Sequence, residues 1–120
     1  MFQKLFNSDK PSRDSSTFNW VPLQNVAQIA ELKEQSKTKT VFIFKHSTRC
    51  GISRSVIRQF ENLLKDSPNH CVFYYLDLLN YRSISNEISD EFGVIHQSPQ
   101  MLIIKNETAV VHESHYDILE

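Results

Sequence analysis

Glycine is nearly absent from this 120-residue chain, with Gly51 and Gly93 its only two. Phosphate-cradling loops and dinucleotide fingerprints need several glycines close together, so nucleotide chemistry of that kind is excluded. Cysteine is equally scarce. Cys50 and Cys71 are too few for a disulfide framework. No apolar run approaches the ~20 residues of a membrane-spanning helix. No charge of one sign accumulates either: 13 basic and 14 acidic residues leave a formal net charge of -1 and a pI near 6.5. Such a balance offers no electrostatic footprint for nucleic acid or an acidic membrane, and neither partner is expected. Met1 to Phe6 is too short an apolar stretch for a secretory signal and runs straight into Asn7, Ser8, Asp9 and Lys10. We therefore expect a cytoplasmic protein whose thiols are kept reduced.

What remains is the balance of one globular domain, 40% hydrophobic and 22% charged. A chain of this length removes about two-thirds of its unfolded surface from water and needs no structural metal. Residues 7–17, NSDKPSRDSST, are polar and aperiodic, so residues 1–17 are expected to form a flexible leader and residues 18–120 the domain. Phe18, Trp20 and Val21 suggest a short first strand closed by Pro22. Val26, Ile29 and Ala30 then fall at helical spacing in a segment ending near Lys37. VFIF at 41–44 reads as a strand buried on both faces.

Ile52, Val56, Ile57, Phe60, Leu63 and Leu64 predict a helix over about 51–65, with Arg54, Arg58 and Glu61 on its other face. Beyond the Ser67-Pro68-Asn69 turn, Cys71 to Leu78 predicts a second buried strand. Ile84, Ile88 and Phe92 predict a helix over about 83–92, which Gly93 would cap in the left-handed region. MLII at 101–104 and TAVVH at 108–112 predict a hairpin, and Ser114 an N-cap for a last helix over 114–120. Parallel strands need helical crossovers and the last pair needs only a turn. The order therefore implies a small mixed α/β sheet with helices on both faces.

Cys50 stands between the first buried strand and the strongest helix, in Lys45-His46-Ser47-Thr48-Arg49-Cys50-Gly51-Ile52-Ser53. The unpaired N–H groups of a first helical turn and the positive end of the helix dipole favour a thiolate there. Arg49, His46 and Lys45 add positive potential, and the Ser53 hydroxyl, one turn up, is placed to hydrogen-bond the sulfur. With serine at the fourth motif position, Cys50 can accept a mixed disulfide but cannot resolve it within the motif. Cys71 lies beyond a helix whose ends are about 20 Å apart, against a limit of ~7 Å between bridged Cα atoms, and is expected in the core. Pro99, in Gln97-Ser98-Pro99-Gln100, precedes a strand. A cis proline there would expose the Ser98 backbone to an extended ligand.

The strand-to-helix Cys-x-x-Ser, the Phe92-Gly93-Val94 turn, the proline before a strand and the Ile104-Lys105-Asn106-Glu107 hairpin resemble the thioredoxin superfamily over about residues 18–120. Within it, His46 to Ser53 and Ser98-Pro99-Gln100 are most similar to the YtxJ-type monothiol proteins of the bacillithiol system, regarded as bacilliredoxins. The resemblance implies a thioredoxin-like fold with a mixed sheet of four to five strands. It also implies a monothiol thiol–disulfide oxidoreductase that removes bacillithiol from client proteins.

On this resemblance Cys50 and Ser53 are the catalytic pair, and Arg49, Gly51, Ile52, Ser98 and Pro99 bind substrate. The partners are S-thiolated clients and a small thiol co-substrate, with no metal or other cofactor. Arg49 or Lys45 would meet a carboxylate of that thiol. The chain departs from the pattern at Gly51, where proline is expected. It departs from ordinary thioredoxins at Phe44, where they hold a buried aspartate, and at Arg49, where they hold an aromatic residue. It also has one extra residue between Gly93 and Pro99, which reshapes the loop carrying His96 and Gln97.

The five histidines at 46, 70, 96, 112 and 115 are scattered. His112, Glu113 and His115 set no fixed ligand geometry and read as surface residues. His46 and His96 are expected near the rim of the Cys50 site, where a dipole-stabilised thiolate needs no base. Trp20, Phe42, Phe44, Phe60, Phe73 and Tyr75 are expected in or beside the core, and Asp77 takes no role. Two other functions fit the motif: an iron–sulfur carrier like the monothiol glutaredoxins, which lacks support because no paired-glycine glutathione site exists here, and a non-catalytic thioredoxin-fold adaptor or redox sensor.

Overall fold

A computed structural model describes residues 18–65 and 70–119; the expected leader and the Ser67-Pro68-Asn69 turn lie outside the described residues. The elements follow the order β1 (Trp20–Pro22), α1 (Ala27–Gln35), β2 (Thr40–His46), α2 (Gly51–Leu64), β3 (Cys71–Asp77), α3 (Arg82–Phe92), β4 (Gln100–Lys105) and β5 (Thr108–Ser114), closed by a 3-10 helix over His115–Leu119. They form a five-stranded mixed sheet in the order β1-β3-β2-β4-β5. β1, β3 and β2 run parallel, while β4 is antiparallel to both β2 and β5.

The alternation of β2 divides the core in two. Val41 and Ile43 join Ile29 and Leu32 of α1 and Ile84 and Ile88 of α3 on one face. Phe44 joins Val56 and Phe60 of α2, Phe73 and Met101 on the other, with Trp20, Phe42 and Ile118 packed against them. Burying both faces explains why VFIF is a continuous apolar run. The second cluster is aromatic, with Trp20 stacked on Phe60 at a centroid distance of 5.9 Å and donating from its indole N–H to Glu61 at 2.7 Å.

Gly93 caps α3 with φ 64, the left-handed conformation that glycine adopts freely, and the Val94 N–H bonds back to the Ser89 carbonyl at 3.1 Å. The hairpin turn consists of Asn106 (φ 51) and Glu107 (φ 67), positive at both central positions as a type I′ turn requires. Ser36, at the end of α1, holds this turn: its carbonyl accepts from the Asn106 N–H and its hydroxyl from the Glu107 N–H, both at 2.8 Å.

Two expectations are corrected. Ser114 is the last residue of β5, paired with Gln100, and caps nothing; the expected final helix is a single 3-10 segment. The His115 N–H bonds to the Pro99 carbonyl at 3.0 Å and His115 has φ 55, so cross-strand pairing carries the chain past the position where a helix would start. Pro22 is the last residue of β1, as expected, but the strand starts at Trp20 and leaves Phe18 outside it. β1 is an edge strand with one neighbour, β3, where a missing N–H is tolerated.

Candidate active site

Three parallel strands end on one side of the sheet, and the candidate residues collect there. Cys50 is the N-cap of α2, with extended backbone (φ -96, ψ 122) and a partly exposed side chain. Its N–H bonds to the Ser47 carbonyl at 3.1 Å, and its carbonyl accepts the first helical bond, from the Arg54 N–H at 3.0 Å. The N–H groups of Gly51, Ile52 and Ser53, which have no partner within the helix, thus open the helix at the cysteine. Arg49 and Gly51 are exposed, and Ile52 keeps 41% of its surface in water. The Arg54 guanidinium donates to the Thr48 carbonyl at 3.2 Å, which braces the loop.

Register brings the proline loop to the same place. Gln100 pairs with Lys45 near the end of β2, so Ser98 and Pro99 lie just beyond it, level with the residues that lead to Cys50. The Ser98–Pro99 peptide is cis, with Pro99 buried and Ser98 half-buried. The Gln100 amide is buried beneath this loop. It donates to the Ile95 carbonyl at 2.9 Å and accepts from the Gln97 N–H at 3.4 Å.

Two side chains differ from expectation. Ser53 is fully buried, and its hydroxyl bonds to Nδ1 of His46 at 2.7 Å and to the Ser47 N–H at 3.1 Å. Among the described residues it makes no hydrogen bond to Cys50, because i,i+3 spacing stacks it above the cysteine but also on the stripe of α2 that faces the sheet. Lys45 is also fully buried and cannot meet a carboxylate at the rim. Its Nζ donates to the Ser85 carbonyl at 3.3 Å and Ser89 Oγ at 2.9 Å, and lies 3.5 Å from Nδ1 of His96. Burial, with the nearby Arg82 charge, pushes this amine down to about 8.

His46 sits inside the rim, 6% exposed. Burial holds its imidazole below the ordinary histidine range, Asp77 opposing and Arg54 assisting. His96 turns inward from the loop, where Ser85 Oγ is 3.2 Å from its Nδ1. Burial, Lys45 and Arg82 lower its proton affinity in that order.

Cys71 pairs with Thr40, at the opposite end of β2 from His46. Six residues of strand at about 3.3 Å each separate it from the Cys50 end by roughly 20 Å. It packs against the aromatic cluster, and burial raises its thiol. Both cysteines are free. Among the described residues no group of three His, Cys, Asp or Glu is placed to hold a metal ion.

The chain matches the family model of the monothiol bacilliredoxin BrxC over residues 21–120. It belongs to the monothiol bacilliredoxin family. A candidate oxidoreductase with a thioredoxin fold is 32% identical and superposes with a TM-score of 0.72, over 82% of this chain and 84% of that one. Thioredoxins from Trypanosoma brucei brucei (17% identity, TM-score 0.68, 88% of each chain) and Fasciola hepatica (20%, 0.65, 78% of this chain and 85% of that one) share the fold. Fold and family together establish a thiol redox function, and the thioredoxin-like architecture is that of the sheet described above.

What sequence reasoning missed is the pair of buried networks behind the bacilliredoxin motif. Their signal was present in VFIFKH: the alternation does not stop at Phe44, so Lys45 continues the Val41–Ile43 face and His46 the Phe42–Phe44 face.

Proposed function

We propose that the chain removes a low-molecular-weight thiol, bacillithiol, from mixed disulfides on cytoplasmic client proteins. The observation that carries this reading is the placement of Cys50: a partly exposed N-cap cysteine at the same end of the sheet as the Pro99 loop, with its only companion thiol at the far end. In the first step the Cys50 thiolate attacks the small-thiol sulfur. A disulfide forms between Cys50 and the small thiol, the client's sulfur–sulfur bond breaks, and its electron pair leaves on the client thiolate, which water protonates. In the second, the thiolate of a further small thiol attacks the captured sulfur, forming the small-molecule disulfide and returning Cys50 as thiolate. Arg49, Gly51 and Ile52 line the approach to Cys50, and the Ser98 backbone aligns the disulfide.

The test is release of bacillithiol from an S-bacillithiolated client, followed by intact mass. Wild type and Cys71→Ser should strip the client and acquire the small thiol at a 1:1 ratio, and Cys50→Ser should do neither. Trapping without turnover when excess small thiol is supplied would instead make the chain a redox sensor or adaptor. A bound iron–sulfur cluster after anaerobic purification would support the carrier reading.

A further inference from the structure

Gln100 follows Pro99 directly and is 1% exposed, so its amide must find partners inside the protein. It finds them by folding back under the loop. Its Nε2 donates to the Ile95 carbonyl at 2.9 Å, and its Oε1 accepts from the Gln97 N–H at 3.4 Å. The second bond closes a ring over residues 97–100, with Ser98 inside it. A primary amide carries a donor and an acceptor side by side, which lets one side chain take both backbone groups.

His96, between those two residues, is held by its ring. Lys45 is the register partner of Gln100 and fully buried, so the two side chains stand next to one another on the α1 and α3 face of the sheet, beyond Ile43 and Leu102. The Lys45 ammonium can only donate, so Nδ1 of His96, at 3.5 Å, accepts; Ser85 Oγ, at 3.2 Å, faces the same nitrogen. Lys45 is tied in turn to α3, through Ser89 Oγ at 2.9 Å and the Ser85 carbonyl at 3.3 Å. One cross-strand pair thus grips three consecutive loop residues. Apolar burial does not do this work: Val94 and Pro99 are buried, but between them the only apolar side chain, Ile95, is 83% exposed.

We propose that Gln100 and Lys45 are positioning residues for the Ser98 backbone, fixing where it stands when a disulfide arrives at Cys50. This rests on the proposed exchange, in which Ser98 aligns the disulfide. Ser98 adjoins Gln97 and lies inside the ring that Gln100 closes, so the grip reaches it through the chain itself. Disulfide exchange needs the attacking, attacked and leaving sulfurs brought into line, whereas alkylation by a small, freely diffusing reagent needs no such guide.

The test uses the full chain with Gln100→Met or Lys45→Met, each of which keeps an unbranched apolar stem and loses the polar grip. By nitrogen relaxation NMR the His96 and Ser98 amides should fall from order parameters of about 0.85, those of rigid backbone, to below about 0.6, with β2 and β4 unchanged. A loop that stays rigid assigns the grip to packing and overturns the proposal. Exchange of Cys50 with a peptide carrying a cysteine–cysteamine mixed disulfide should slow about tenfold, while alkylation of Cys50 by iodoacetamide keeps its rate. Equal slowing of both, or of neither, overturns the proposal. The partly exposed His96 supplies a second pair of variants that leaves the core intact. His96→Leu should loosen the loop and slow exchange, and His96→Asn, whose amide oxygen takes the place of Nδ1, should restore both; the reverse order or no difference overturns the proposal. A wild type that does not exchange at all would strike the proposed function instead, and the order parameters would still decide whether Gln100 and Lys45 hold the loop.

Discussion

Lys45 Nζ lies 3.5 Å from Nδ1 of His96, so a fully buried lysine joins the central strand to the loop that leads into Pro99. The same amine reaches the Ser85 carbonyl and the Ser89 hydroxyl of α3. A single amine thus gathers strand, helix and the loop before Pro99 at one point, and among the described residues no carboxylate is a hydrogen-bond partner. Burying it has a cost that depends on pH.

Lys45 holds its proton less tightly in the folded protein, at about 8, than the ~10.4 of an unfolded lysine. Below pH 8 it is charged in both states, and folding bears the full penalty of burying that charge. Between pH 8 and about 10.4 the unfolded chain binds more protons, so this contribution to stability rises with pH. Urea unfolding of wild type and Lys45→Met should show the wild type gaining by up to about 3 kcal/mol relative to the variant between pH 7 and 10.5. A difference that stays constant with pH would refute the assignment.

Gly51 is the first residue of α2, its φ is not positive, and a Cβ there would meet nothing within 4 Å. Proline is favoured at that position because its fixed φ suits the helix and the lost N–H has no intrahelical partner. Gly51→Pro should therefore raise stability by about 0.5–1 kcal/mol through the unfolded state. Thermal unfolding measures it, and a lower midpoint would mean that the Gly51 N–H has a partner in solution.

Glu107 adopts φ 67, a conformation that costs an L-residue about 1–2 kcal/mol. Glu107→Gly should relieve that cost while keeping the backbone bond to Ser36 Oγ. The substitution loses an exposed ion pair with Lys37 at 3.3 Å, worth less than about 1 kcal/mol. The net expectation is a gain of about 0.5–1 kcal/mol in urea unfolding. A loss would show that the ion pair outweighs the strain.

The fold was legible because its signals are local. The β-branched run of β2, the helical stripe Val56–Phe60 and the Gly93 cap each report their own element. The last helix was misread because Ser114 carries a capping signature, yet its pairing with Gln100 comes from a strand distant in sequence. Cys50 and Pro99 were also legible, one from its place before a helix and the other from its place before a strand.

By itself the sequence determined the alternation of strands and helices and the monothiol character of the motif, since these follow from periodicity and from which residue stands at a helix start. Only the tertiary structure decided where Lys45, His46, Ser53 and His96 point. Polar residues at the end of a buried strand carry no label for the face they enter. Their partners, Ser85 and Ser89 on α3 and Ser53 on α2, are selected when helices close over both faces and each buried polar atom must find a hydrogen bond.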